Sequence, residues 1–260
     1  MRSEYDRPAT GGYFSPPRPR IFAHRGLAID APENTLAAFR RAIAAGATHL
    51  ETDVHASSDG IAVLSHDPDL KRALGRDARV EQLPMDELAA VDLGGGNGYT
   101  SLAQALAEFP EARFNIDIKS ENAIRPTINA VRNANAIDRV LIVSFDESRR
   151  IRTVAGLPGV ATAASTRGMR LVVVGAKLGI APLVRRGLRG VDAVQIPERY
   201  GPIGLITPRV VDAIHSTGRE IHVWTVNDPA DMRRLIRAGV DGLVSDRCDL
   251  AAALVSGTSC

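Results

Sequence analysis

The sequence predicts an α/β fold in which eight parallel strands close into a barrel, with a small insertion between the second and third strands. Three observations predict it. Short β-branched runs alternate with helical runs along the chain, the mark of parallel βαβ units. Eight such runs are present. The chain has 260 residues, and a barrel of this kind uses about 250 as one domain.

The elements follow in order. Residues 1–20, rich in proline and arginine, have no apolar signal core and read as a flexible leader. A single domain then runs over 21–260. The strands are expected at Ile21–His24, Thr48–His55, Arg113–Lys119, Arg139–Phe145, Gly159–Ala164, Val191–Ile196, Glu220–Val226 and Val240–Ser245. Helical pattern fills the gaps, as in Glu33–Ala45, Ala123–Asn133, Pro208–Ser216 and Pro229–Ala238. Two helix ends repeat: Ile43–Gly46 leads to Leu50 and Asp53, and Ile236–Gly239 leads at the same offsets to Leu243 and Asp246. Glycine there suits a left-handed helix end, so the repeat supports the architecture and says nothing of chemistry. Between strands two and three, roughly sixty residues stand where a βα unit needs about thirty. With Asp59-Gly60 and Gly94–Gly98 as turn signals, an insertion is placed at about 68–107.

Composition removes several function classes. Hydrophobic residues make up 45% and charged residues 24%, which is globular and not disordered. A net charge of +2 does not suit a nucleic-acid coat. The longest nearly apolar run, Leu171–Val184, contains Lys177 and falls short of the roughly 20 residues of a membrane span. Cys248 and Cys260 allow at most one disulfide, which points to a reducing cytoplasm. No P-loop, nucleophile elbow or HExxH zinc signature is present.

The chemistry-bearing residues gather at predicted strand ends, where barrel enzymes keep their active sites. Glu51 and Asp53 share one face of strand two because side chains alternate. Two carboxylates aimed into a barrel need a cation, a buried ion-pair network, or a solvent-facing strand end. His55 shares their parity and is either a third neighbour of the carboxylates or, the preferred reading, a residue turned away by the Ser57–Gly60 turn. Asp117 and Lys119 share a face at the end of strand three. They are either a strand-end salt bridge or, for Asp117, the third carboxylate of an all-oxygen site for a hard cation. His24 and Arg25 end strand one, where a histidine could pair proton transfer with an arginine's grip on phosphate. His66 supplies a second histidine, with Asp67 placed either to orient it or to cap the turn before Pro68. Two histidines, three carboxylates, Arg25 and Lys119 together suit a metal-assisted phosphodiester site.

At this point the sequence resembles the glycerophosphodiester phosphodiesterase family. The matching pieces are HRG at His24–Gly26, PENT at Pro32–Thr35, ETD at Glu51–Asp53, SHD at Ser65–Asp67, NIDIK at Asn115–Lys119, VWTVN at Val223–Asn227 and DGLVSD at Asp241–Asp246. The resemblance runs from about Ile21 to Ala253 and implies a TIM-type (β/α)8 barrel, one divalent metal ion (Mg²⁺ or Ca²⁺), and hydrolysis of small glycerophosphodiesters to an alcohol and sn-glycerol 3-phosphate. It implies that His24 and His66 are general acid and base, that Glu51, Asp53 and Asp117 hold the metal, and that Arg25 and Lys119 contact phosphate. The family often carries Glu where Asp117 stands, and its Pro-Thr-Leu-Glu-Glu stretch reads here Thr100-Ser-Leu-Ala-Gln104.

Two further residues carry alternatives. Glu33 is either a partner of His24 or Arg25 or a charge favoured at a helix N-terminus. Trp224 either walls the alcohol side of the site or packs the barrel core. Competing functions are a phospholipase D-like enzyme on lysolipids or sphingolipids, which needs an apolar groove, and an inert phosphate-binding barrel, which would have lost a histidine or a carboxylate.

Overall fold

The computed structural model describes residues 12–257. Eight parallel strands form the expected barrel: β1 Arg20–Ala23, β2 His49–Ala56, β3 Arg113–Ile118, β4 Val140–Val143, β5 Ala161–Thr162, β6 Ala193–Pro197, β7 Glu220–Trp224 and β8 Gly242–Ser245. They pair in chain order, and β1 pairs with β8, Arg20 opposite Gly242. The last seam, β5 to β6, is closed by the isolated bridge Ala163–Ala193 and by flanking hydrogen bonds such as Asp192 N to Thr162 O. β5 is shorter than the expected Gly159–Ala164, since its alanines offer little side chain to pack on a pleated surface. Helices cover the outside, and their inward faces and the strands' outward faces form the main apolar core.

The barrel floor is packed from Gly12 onward. A single turn, Gly12–Phe14, tucks Tyr13 and Phe14 against Phe22, Leu141 and Val244. His49 Nε2 donates to the Tyr13 carbonyl at 2.9 Å, and Arg20 pairs with Glu220 at 2.7 Å. The flexible leader expected over residues 1–20 is therefore replaced over 12–20 by ordered packing, because two adjacent aromatics bury themselves against Phe22, Leu141 and Val244. Residues 1–11 lie outside the described residues.

The break in rhythm after β2 starts as a hairpin. Strand Ala62–Leu64 runs antiparallel to the end of β2, with Val54 opposite Leu64. Short helices Lys71–Leu74 and Met85–Ala90 follow, over a separate apolar cluster of Val63, Leu70, Val80, Leu88 and Tyr99. Helix Leu102–Glu108 falls inside the expected insertion, yet it is an outer barrel helix. Ser101 and Gln104 cap it reciprocally, and Leu102, Ala105 and Leu106 join the main core. Gln104, where the family stretch carries Glu, thus serves as the capping residue.

The first outer helix also starts later than expected. It spans Leu36–Ala44 and not Glu33–Ala45, because the Thr35 hydroxyl accepts from Ala38 N while Asn34 sits at φ +58°. Glu33 is a loop residue and gains nothing from a helix dipole.

Candidate active site

The site is built at the C-terminal ends of the strands, starting with the turn after β1. His24 N donates to Ser245 O at 3.0 Å, which continues the ladder between β1 and β8. Arg25 then adopts φ +56° and Gly26 φ +86°. At Gly26 an added Cβ would stand 2.7 Å from the Ala38 Cβ, so only glycine fits between this turn and the first helix. The left-handed turn aims the Arg25 amide at Glu51 Oε2, 3.0 Å away, and brings the guanidinium to Asp53, with Nε 3.0 Å from Oδ2.

Strand register sets the carboxylates. Glu51 stands opposite Asn115, and Asp53 opposite Asp117. Period-two alternation points all four into one cavity of about 220 Å³, together with His24, Arg25, His66, Lys119, Phe145, Gln195 and Trp224. Asn34 fixes the layer beneath: its carboxamide oxygen accepts from Thr52 Oγ1 at 2.7 Å and its amide reaches Asp53 Oδ2 at 3.4 Å.

Lys119 is the central cation, with Nζ 2.7 Å from Asp53 Oδ1 and 2.6 Å from Asp117 Oδ2. Its ammonium also lies over the Phe145 ring, 5.5 Å from the centroid. Burial opposes the charge of Asp53, but Lys119 and Arg25 hold its carboxyl below the usual range. Burial pushes Asp117 up, and Lys119 offsets this only in part. Glu51 has no facing cation; burial and the neighbouring Asp53 push it up to about 8. The cluster sets three buried carboxylates against Lys119 and Arg25, and ionisation of Glu51 is the one that burial and Asp53 oppose most.

Each histidine leans on a carboxylate. His24 Nδ1 is 2.6 Å from Asp246 Oδ1, and Asp246 Oδ2 accepts from Asn227 Nδ2 at 2.7 Å. Burial presses the His24 pKa down, but the Asp246 hydrogen bond and the nearby Glu51 more than offset this and raise it above the ordinary histidine value. His66 Nδ1 is 2.7 Å from Asp67 Oδ1, and Asp67 is held in turn by Arg72 of the insertion. Arg72 also pairs with Glu33 at 2.5 Å, and Glu33 lies 3.3 Å from Arg25. An ionic chain thus joins the two histidine-bearing loops. His55 lies outside the main cavity, its Nε2 donating to the His66 carbonyl at 3.3 Å.

The structure brings all nine candidate positions to this end of the barrel. His24, Arg25, Glu51, Asp53, His66, Asp117, Lys119 and Trp224 line the cavity, and Glu33 stands behind Arg25. Trp224 packs edge-on to Phe145, centroids 6.0 Å apart, and lines the wall. Asp246, Asn227 and Asn34 were assigned no role at sequence level. All three lie within quoted motifs, Asp246 in DGLVSD, Asn227 in VWTVN and Asn34 in PENT, which is the available signal.

Among the described residues, no three His, Cys, Asp or Glu side chains form a ready metal cage. Here the Lys119 ammonium bridges Asp53 and Asp117. The chemistry nevertheless fits a hard cation. Every donor is oxygen, and Asp117 Oδ1 and Asn115 Oδ1 are buried without a hydrogen-bond partner.

The chain is also similar to proteins of a known family. Residues 24–250 match the sequence profile of the Glycerophosphoryl diester phosphodiesterase family. A relative from Mycobacterium tuberculosis named "Probable glycerophosphodiester phosphodiesterase 2" is 39% identical over 230 residues, covering 88% of this chain and 87% of the relative. The crystal structure of a glycerophosphodiester phosphodiesterase from Thermotoga maritima superposes with a TM-score of 0.71 at 27% identity, covering 90% of this chain and 97% of that one. An Oleispira antarctica phosphodiesterase, solved with the product sn-glycerol-3-phosphate, superposes with a TM-score of 0.76 at 23% identity, covering 92% and 97%.

Proposed function

The chain belongs to the glycerophosphoryl diester phosphodiesterase family and is a glycerophosphodiester phosphodiesterase; from that premise we propose that it releases sn-glycerol 3-phosphate from small diesters such as glycerophosphocholine by two-histidine acid–base catalysis. The observation that carries the reading is the pair of carboxylate-anchored histidines lining one cavity with Lys119 and Arg25. The product bound to the Oleispira enzyme supports the choice of product.

In each histidine the Nδ1 is occupied by its carboxylate, so Nε2 is the nitrogen that exchanges a proton with substrate. Arg25 and Lys119 neutralise the phosphate and lower the cost of the charge that builds on its oxygens. His66 accepts a proton from the attacking oxygen, either a water or the substrate's own 2-hydroxyl; the second route gives a cyclic phosphate that a water then opens at the 2-oxygen to leave sn-glycerol 3-phosphate. As that oxygen bonds to phosphorus, the phosphorus–oxygen bond to the alcohol breaks. His24, whose protonated form the Asp246 hydrogen bond favours, donates its proton to the departing alkoxide. Trp224 and Phe145 wall the apolar side of the cavity, where the alcohol departs. Glu51, Asp53 and Asp117 would hold one Mg²⁺ or Ca²⁺, which supplies Lewis-acid stabilisation of the phosphoryl oxygens when bound.

The direct test is turnover of glycerophosphocholine, with and without chelator, followed by detection of choline and glycerol 3-phosphate. Release of both products, lost on chelation and restored by Mg²⁺ or Ca²⁺, is expected. Phosphocholine and glycerol as products would overturn the assignment of the broken bond.

A further inference from the structure

We propose that the helical hairpin between β5 and β6 is a docking face for an anionic lipid bilayer, placed beside the mouth of the active site. Its first helix spans Thr166–Leu178 and its second Ala181–Gly187.

The charge comes first. Residues 163–191 contain Arg167, Arg170, Lys177, Arg185, Arg186 and Arg189 and no aspartate or glutamate. The whole chain is only +2, so positive charge is gathered here. Among the described residues, none of these five arginines closes an ion pair, whereas Arg150 beneath them is paired with Glu147. Three of these arginines, Arg167, Arg186 and Arg189, line with the Arg150–Glu147 pair an open cavity of about 570 Å³ at the base of the hairpin.

The second observation is apolar. Val172, Val173, Ala176 and Val184 face inward and are buried, which satisfies the core. The outward face of the first helix carries Arg167 and Arg170 near its start, then Val174 and Leu178, recurring at helical spacing. Val174 is 49% exposed, Leu178 65% and, at the tip, Ile180 40%. A helix on a water-facing surface carries polar residues at such positions. The hairpin is not loosely placed: a Cβ on Gly175 would stand 2.8 Å from the Leu183 Cβ, so the two helices pack backbone to backbone.

The third observation is position. The first helix leaves the C-terminal end of β5, and Ser165 and Thr166 line the active-site cavity. At the other end, Lys177 Nζ donates at 2.7 Å to Gly204 O in the loop after β6. That loop presents Tyr200, 71% exposed, and Ile203, 54% exposed. Apolar tips with a basic flank on one side of the mouth match a surface of anionic headgroups over hydrocarbon. Nucleic acid would use the basic flank but leave the apolar tip unsatisfied.

The test is flotation of the full chain with vesicles of phosphatidylcholine alone, or mixed with phosphatidylglycerol. Binding only to the mixed vesicles, weakening with salt, is expected. Arg185→Ser and Arg186→Ser should each weaken it by about fivefold, and Leu178→Glu by about tenfold or more. Hydrolysis of glycerophosphocholine in solution should be unchanged in all three, which separates failure of this proposal from failure of the catalytic reading. The proposal is overturned if the chain ignores phosphatidylglycerol vesicles at low salt or if Leu178→Glu binds them like wild type. It is equally overturned if a short RNA duplex competes the protein off the vesicles, or if Leu178→Glu only dissociates a dimer.

Discussion

His24 and Asp246 lie 222 residues apart in the chain and 2.6 Å apart in space. Pairing of β1 with β8 makes that contact, so the proton-transfer site exists only where this seam is closed. Asp246→Asn should keep the hydrogen bond but lose the charge that favours imidazolium. The His24 pKa is raised in the native site, so its acid form persists as pH rises and is lost only above that value. In Asp246→Asn that point falls, and the alkaline limb of the kcat profile should move to lower pH. An unmoved alkaline limb would take the acid role away from His24.

His24→Ala and His66→Ala should each lower turnover by about 10²–10⁴-fold. Both side chains stand at the mouth and not in the apolar core, so the circular dichroism spectrum should be unchanged. Near-native turnover by either purified variant would remove that histidine from the mechanism.

Asp117→Asn removes the charge from a carboxylate with an unpartnered buried oxygen. Calorimetric titration should show weaker Mg²⁺ or Ca²⁺ binding, and excess metal should restore part of the lost rate. Wild-type affinity in this variant would place the metal elsewhere.

Phe14→Ala should destabilise the protein by about 3 kcal/mol, since a large aromatic leaves a cavity that the barrel floor cannot collapse around. Urea unfolding reads this directly, and kcat should hold because the floor and the mouth are opposite ends of the barrel. A loss below about 1 kcal/mol would mean that the turn Gly12–Phe14 is not part of the cooperative core.

Much of the site was legible because it depends on strand alternation. Glu51 and Asp53 share a face in any β-strand, and Asn115 and Asp117 repeat the pattern one strand over. What depends on long-range closure was not legible. Asp246 gains its role only when β8 meets β1, and Arg72 reaches Glu33 and Asp67 only once the insertion folds back. Local competition misplaced other elements. Thr35 outbids Glu33 as the helix start because its hydroxyl can take the Ala38 amide. Tyr13 and Phe14 were hidden in a proline- and arginine-rich stretch whose composition resembles a linker. The outward Val174 and Leu178 were read only as part of an apolar run, since burial, which the run alone does not reveal, distinguishes them from Val172 and Val173.

The closure between β5 and β6 gives the molecule the mechanics of a split ring. Seven junctions are laddered, and the eighth is clasped by one bridge, Ala163 to Ala193, with short flanking bonds. A ring yields at its clasp. Amide hydrogens at Ala163 and Ala164 should exchange ahead of those in β2 and β3, on a timescale that local opening and not global unfolding sets. The basic hairpin is spliced in at this clasp, so any load it takes up is delivered to the part of the ring most able to give.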